Sequence, residues 1–241
     1  MTKLRVGMSL ITSLLTVLLS AQIQPSQLRV FQSGTHIETV RLDNFTVRYA
    51  ISIPKNYSPS EPVPLVLALH YGGSPNGAAQ GVLLTLVQPA LSDLGAIILA
   101  PESVAGAWNS AANEHIVMDL IDAVRASYSI DAKRIAVTGF SMGGTGTWFF
   151  AGKYPGLFSA AVPVAGMPPQ ARSDWSTPVF AVHSADDEVM PIDPTAARIK
   201  ELQKSGVRAE LVTLAGISHS ETNRFVGGLR RAVPWLKETW K

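Results

Sequence analysis

Apolar positions fall into two kinds of stretch that alternate along the chain. Short runs rich in Val, Ile, Leu and Ala, apolar on both faces, occupy residues 65–69, 96–100, 134–138, 160–164, 179–182 and 209–213. Longer segments of mixed character, at 78–94, 112–128, 141–153, 194–205 and 221–237, separate most of them and have the length of helices. A strand that is apolar on both faces belongs inside a sheet covered on both sides, and strands alternating with helices build a largely parallel sheet. The pattern therefore predicts an α/β fold with a mostly parallel central sheet flanked by helices. Ahead of it, residues 38–41 and 45–53 alternate apolar and polar positions and predict a half-exposed hairpin. Residues 54–64 then form a turn-rich connection. Between the runs at 160–164 and 179–182 the connection is short and holds Pro168, Pro169 and Pro178. It is too short to fold as a separate lid domain, so the predicted site above the sheet is open.

The amino end reads differently. Lys3 and Arg5 precede an uncharged apolar run over residues 6–19, and Ser20-Ala21-Gln22 follows as a cleavage region. This predicts an export signal over residues 1–21, leaving a single α/β catalytic domain over 28–241 that is secreted or periplasmic. The competing reading is an uncleaved anchor, but the run is shorter than the ~20 residues that cross a bilayer. No stable membrane anchor is expected after cleavage. Removing residues 1–21 lowers the Lys and Arg count from 20 to 18, against 18 Asp and Glu. The remaining chain is near neutral and has no dense basic cluster, so nucleic acid is not an expected partner. The chain contains no cysteine, which excludes disulfides and thiolate metal sites. No His-Glu-x-x-His spacing occurs either, and neither a metal nor a cofactor is expected.

Candidate chemistry lies where the run at 134–138 ends. Thr138-Gly139-Phe140-Ser141-Met142-Gly143-Gly144 places a Gly-x-Ser-x-Gly pentapeptide between a strand and a helix. This is the pattern of a nucleophilic serine held on a strained turn. A serine hydroxyl needs a base, and the base an orienting carboxylate. His183-Ser184-Ala185-Asp186-Asp187 supplies acids just beyond a strand; spacing favours Asp187, with Asp186 as the competitor. The run at 209–213 leads into Ser218-His219 on a loop before the last helix, which makes His219 the candidate base. His36 and His115 lack motif context and read as surface or packing residues, and His183 as a structural hydrogen-bonding residue. Trp108, on a loop after the strand at 96–100, reads equally as a pocket residue or as a packed loop aromatic. Met142, Met167 and Met190 could border a pocket, although core packing is the commoner role of methionine.

The order Ser141, Asp187, His219 resembles that of the α/β-hydrolase superfamily, over a region from about Leu65 to the end of the chain. The stretch from Asp131 through Gly144, with Trp148, Tyr154-Pro155, Phe158 and Ala160-Ala161-Val162-Pro163, is similar to the lidless phospholipase/carboxylesterase and dienelactone hydrolase group. It is similar also to secreted polyhydroxybutyrate depolymerases and feruloyl esterases, and to predicted peptidases. The resemblance implies an α/β-hydrolase fold and hydrolysis of a carboxylic ester, small or polymer-attached, through an acyl-enzyme, with Ser141, Asp187 and His219 as the triad. It places the oxyanion loop at His70-Tyr71-Gly72-Gly73, so that the backbone N–H groups of Tyr71 and Met142 would form the oxyanion hole. A serine peptidase and a catalytically silent binding module remain as alternatives. Two positions depart from the family pattern: Tyr71 and Ser184 stand where glycines are usual.

Overall fold

A computed structural model describes residues 28–73, 75–169 and 174–241. The expected export signal lies outside the described residues. Strands β1 (Gly34–Leu42) and β2 (Phe45–Ile53) pair antiparallel from Gly34↔Ile53 to Leu42↔Phe45. Their two-residue turn, Asp43-Asn44, puts Asp43 at φ 47°, the left-handed conformation that tight hairpins require. The remaining strands are β3 (Val63–Leu69), β4 (Ile97–Pro101), β5 (Ile130–Phe140), β6 (Ala160–Val164), β7 (Val179–Ser184) and β8 (Ala209–Leu214). They form one sheet in the order β1-β2-β4-β3-β5-β6-β7-β8. β2 joins β4 antiparallel, and every pair from β4 to β8 is parallel.

Side chains of successive strand residues point to opposite faces, and the apolar runs therefore feed two cores. Leu65, Leu67, Leu69, Ile135 and Val137 lie in one, and Val66, Ala68, Ala136 and Val162 in the other. Helices α3 (Ala111–Ser127), α4 (Met142–Lys153) and α5 (Ile192–Lys204) cover the first face through residues such as Ile116, Leu120, Phe150 and Ile199. The second face is covered from 78–94 and from the carboxyl-terminal helices, through Val82, Leu86, Phe225 and Leu236.

Two of the predicted helices are broken. Residues 78–94 run as α1 (Ala78–Val82), a π-turn (Leu83–Val87), α2 (Gln88–Leu91) and a 3₁₀ turn (Ser92–Leu94). Pro89 cannot donate to the preceding turn, and the wide π-turn just before it accommodates the missing bond. The last segment divides into a 3₁₀ turn (Thr222–Phe225), α6 (Val226–Arg230) and α7 (Ala232–Thr239), with Pro234 in the first turn of α7, where no donor is needed. Among the described residues no helix or strand intervenes between β6 and β7, and no helix is long and apolar enough to cross a membrane.

Since β3 to β8 all run in one direction, the loops leaving their carboxyl ends gather along one edge of the sheet. This is where open α/β sheets hold their ligands. The candidate site residues lie on those loops or, for Met142, at the start of the helix that follows one.

Candidate active site

Ser141 occupies the turn between β5 and α4 with φ 58° and ψ −117°, a conformation that non-glycine residues adopt only when the surroundings enforce it. The enforcing contacts come from the flanking glycines. A Cβ on Gly143 would lie 2.0 Å from the Leu69 carbonyl oxygen, and one on Gly139 would lie 2.4 Å from that of Gly143. Only glycine allows strand and helix to close so tightly around the serine. On the other side the Ser141 N–H donates to the Val164 carbonyl at 3.0 Å.

The structure brings Ser141, His219 and Asp187 together. The hydroxyl of Ser141 lies 2.7 Å from His219 Nε2, and His219 Nδ1 is 2.8 and 2.9 Å from the two oxygens of Asp187. One tautomer satisfies all of this: Nδ1–H donates to the carboxylate, and Nε2 accepts from the serine. Asp187 Oδ1 also accepts from the N–H groups of Val189 and Met190, which fixes the carboxylate. The Phe140 ring packs on the imidazole at a centroid distance of 5.2 Å. Asp186, the competitor in the sequence, points elsewhere and accepts from the Gly216 N–H at 2.6 Å.

His183 has the structural place expected of it. Its Nε2 donates to the Met190 carbonyl at 2.7 Å, and Nδ1 lies 3.1 Å from the Thr195 hydroxyl. Burial holds its pKa below the ordinary imidazole value, against the opposite pull of the Met190 carbonyl and Asp187.

Beside Ser141, the loop after β3 and the start of α4 meet. Gly72 faces the Met142 side chain, and among the described residues neither the Tyr71 nor the Met142 N–H meets an acceptor. Buried His70 shapes this loop: Nδ1 donates to the Tyr71 carbonyl at 2.6 Å, and Nε2 accepts from the Ser103 N–H at 3.0 Å. Desolvation lowers its pKa, consistent with a neutral ring.

Trp108 is packed beneath the loop after β3. It is 1% exposed, its indole N–H donates to the His70 carbonyl at 2.9 Å, and its ring packs edge-on against His70 and over Gly146. Of its two readings the pocket role is thereby corrected: a loop aromatic with one buried N–H packed where that donor found a carbonyl. A pocket of about 280 Å³ next to Met142 is lined by Gly73, Pro75, the 103–107 loop and Met142. Buried Asn113 holds that loop from α3, accepting from Val104 N–H and donating to the carbonyls of Ala105 and Ala107. Sequence reading passed over Asn113, Glu188 and the hydroxyl of Ser184. The only local signals were the Ser110 cap that starts α3 and the run of three acids at 186–188.

Among the described residues, Asp43, His115 and Asp119 also converge, with possible ligand atoms within 4.8 Å of one another. His115 Nε2 already lies 2.8 Å from Asp43 and 3.4 Å from Asp119, tying the β1–β2 turn to α3 at the surface.

A sequence profile of the Dienelactone hydrolase family matches residues 100–227, more than half of the chain, and the chain belongs to that family. Protein usf of Aquifex pyrophilus is 32% identical over 117 residues, covering 44% of this chain and 51% of that protein. Cutinase 1 of Thermobifida cellulosilytica is 31% identical over 143 residues, covering 57% of this chain and 52% of the cutinase. The chain thus spans about half the length of the curated relatives it matches. Among solved structures, a thermostable esterase superposes with a TM-score of 0.70 at 23% identity, covering 85% of this chain and 62% of the esterase. That likeness is one of fold.

Proposed function

We propose that this member of the dienelactone hydrolase family is an exported serine esterase that cleaves carboxylic esters through an acyl-enzyme. The observation that carries the reading is the unbroken chain Ser141 Oγ, His219 Nε2, His219 Nδ1, Asp187, with the serine at a positive φ. Ser141 Oγ attacks the ester carbonyl while His219 Nε2 takes its proton. Asp187 holds the ring in the tautomer that can accept it and offsets the charge of the imidazolium. The Tyr71 and Met142 N–H groups donate to the developing oxyanion, an effect worth ~3 kcal/mol per donor. His219 returns the proton to the departing alcohol. Water then attacks the acyl-serine with His219 again as base, releasing the acid and regenerating the serine.

A substrate that keeps its alcohol portion outside the protein suits a site where, among the described residues, no helix or strand lies between β6 and β7. Similarity to a cutinase supports a polymer-attached ester, and the apolar run at 6–19 supports export. The test is hydrolysis of nitrophenyl esters of increasing acyl length, a feruloyl ester and an anilide, by native protein and Ser141→Ala. Turnover of esters by the native protein alone supports the reading. Anilide turnover rivalling that of the esters would favour a peptidase, and a folded protein without any turnover would favour a silent module.

A further inference from the structure

His219 sits on the loop between β8 and the Thr222–Phe225 turn, where no ladder bonds support the backbone. Asp187 and the Phe140 ring fix which way the imidazole faces, but its position relative to Ser141 follows the backbone that carries it. The backbone is held from the other side by side chains at the end of β7 and in the turn after it. Ser184 Oγ donates to the Ile217 carbonyl at 2.6 Å. Asp186 Oδ2 accepts from Gly216 N–H at 2.6 Å, and Glu188 Oε2 accepts from the His219 N–H itself at 3.1 Å. Ser184 Oγ also accepts from Asp186 N–H at 3.2 Å, which joins two of the three grips. Ser184 is fully buried, whereas Asp186 and Glu188 are exposed.

We propose that Ser184, Asp186 and Glu188 form a clasp of positioning residues that holds the 216–219 backbone so that His219 Nε2 stays within hydrogen-bond reach of Ser141. The inference rests on the reading of His219 as the general base. Asp187 projects from the same turn, so acid and histidine backbone are anchored to one element and keep their register when the loop moves. Ser184 contributes because it is not glycine: among the described residues its hydroxyl supplies the donor to the 217 carbonyl. Glu188 grips the amide directly attached to the Cα that carries the imidazole, so its loss should be felt at the base rather than in substrate binding. A misplacement of a catalytic group by a fraction of an ångström is enough to slow turnover substantially.

The deciding experiment compares Glu188→Ala with Glu188→Gln in the full chain, measuring kcat and KM on a short-chain nitrophenyl ester, the rate of inactivation by a fluorophosphonate, and thermal unfolding. Glu188→Ala is expected to lower kcat and the inactivation rate by the same factor, about tenfold, with KM and unfolding little changed. Glu188→Gln should restore most of the rate, because its amide oxygen accepts the same N–H. Ser184→Gly, combined with Glu188→Ala, should depart from the product of the single effects, as members of one network do, whereas strict multiplicativity would show that the two grips act independently. Wild-type kcat in Glu188→Ala, or a Gln variant as slow as the Ala variant, would overturn the clasp while leaving the esterase reading intact. Native protein without Ser141-dependent turnover would remove that reading, and the clasp with it.

Discussion

His219 approaches Asp187 to 2.8 Å, and His115 approaches Asp43 to the same distance, yet the two pairs use that contact in opposite ways. The side chains of His219 and Asp187 are 11% and 0% exposed; those of His115 and Asp43 are 50% and 60% exposed. At the first pair the carboxylate is fixed by two backbone N–H groups, and the second ring nitrogen faces a serine hydroxyl. At the second pair one nitrogen serves two carboxylates, Asp43 and Asp119, and solvent screens them all. Distance alone does not distinguish a catalytic arrangement from a surface tie. Burial, fixed orientation and a task for the second nitrogen do.

The contrast is broken most severely by removing charge from each pair in turn. Asp187→Asn should lower kcat by about 10⁴-fold, since an amide in that place favours the wrong imidazole tautomer. Asp43→Asn should leave kcat unchanged in the same ester assay. Comparable losses in both variants would show that the surface pair takes part in the chemistry.

A pH series extends the comparison to stability. Buried His70 and His183 have pKa values held below the ordinary 6.5, first by desolvation. Their unfolded forms bind protons that the folded forms refuse, so their contribution is complete above pH 6.5 and is lost as pH falls below it. His115 has the opposite sign: its hydrogen bond to Asp43 raises its pKa, so its smaller contribution is present below pH 6.5 and lost as pH rises through the raised value. Urea unfolding between pH 5 and 8 should therefore show a net gain in stability on leaving the acid side, with the downward trend at low pH reduced, but not abolished, in His183→Gln, because His70 remains. A stability that rises steadily toward pH 5 would contradict neutral burial.

Trp108 tests the oxyanion side. Trp108→Phe removes the N–H donor to the His70 carbonyl and leaves a void where the second ring packed, at a cost of about 2–4 kcal/mol in stability. Selectivity among acyl chains should not change, because the ring lies beneath the loop; altered selectivity would return Trp108 to the pocket. The smallest effect is expected from His115→Ala, a change of less than about 1 kcal/mol by thermal unfolding.

These residues also show what the sequence could carry. The alternation of strands and helices, the two-sided burial of β3, β4, β6 and β7 and the turn at Ser141 were legible because each depends on neighbours within a few positions. The helix breaks at Pro89 and Pro234 were signalled by the prolines themselves, although helix-length periodicity masked them. Spacing favoured Asp187 without removing Asp186: adjacent residues in a turn point apart, and the path of the 215–219 loop decides which meets the imidazole. Trp108, Ser184 and Glu188 were illegible for a related reason. Each acts through a hydrogen bond to a residue more than thirty positions away, and no local pattern encodes such a partner.

The central claim is that Ser141 is a nucleophile activated through His219. Labelling of the native full chain with a fluorophosphonate, followed by mass-spectrometric mapping of the adduct, tests it most directly. The account predicts one adduct per chain, on Ser141, formed far more slowly in His219→Ala. An adduct on another residue, or labelling of Ser141 that proceeds at the native rate without His219, would contradict it.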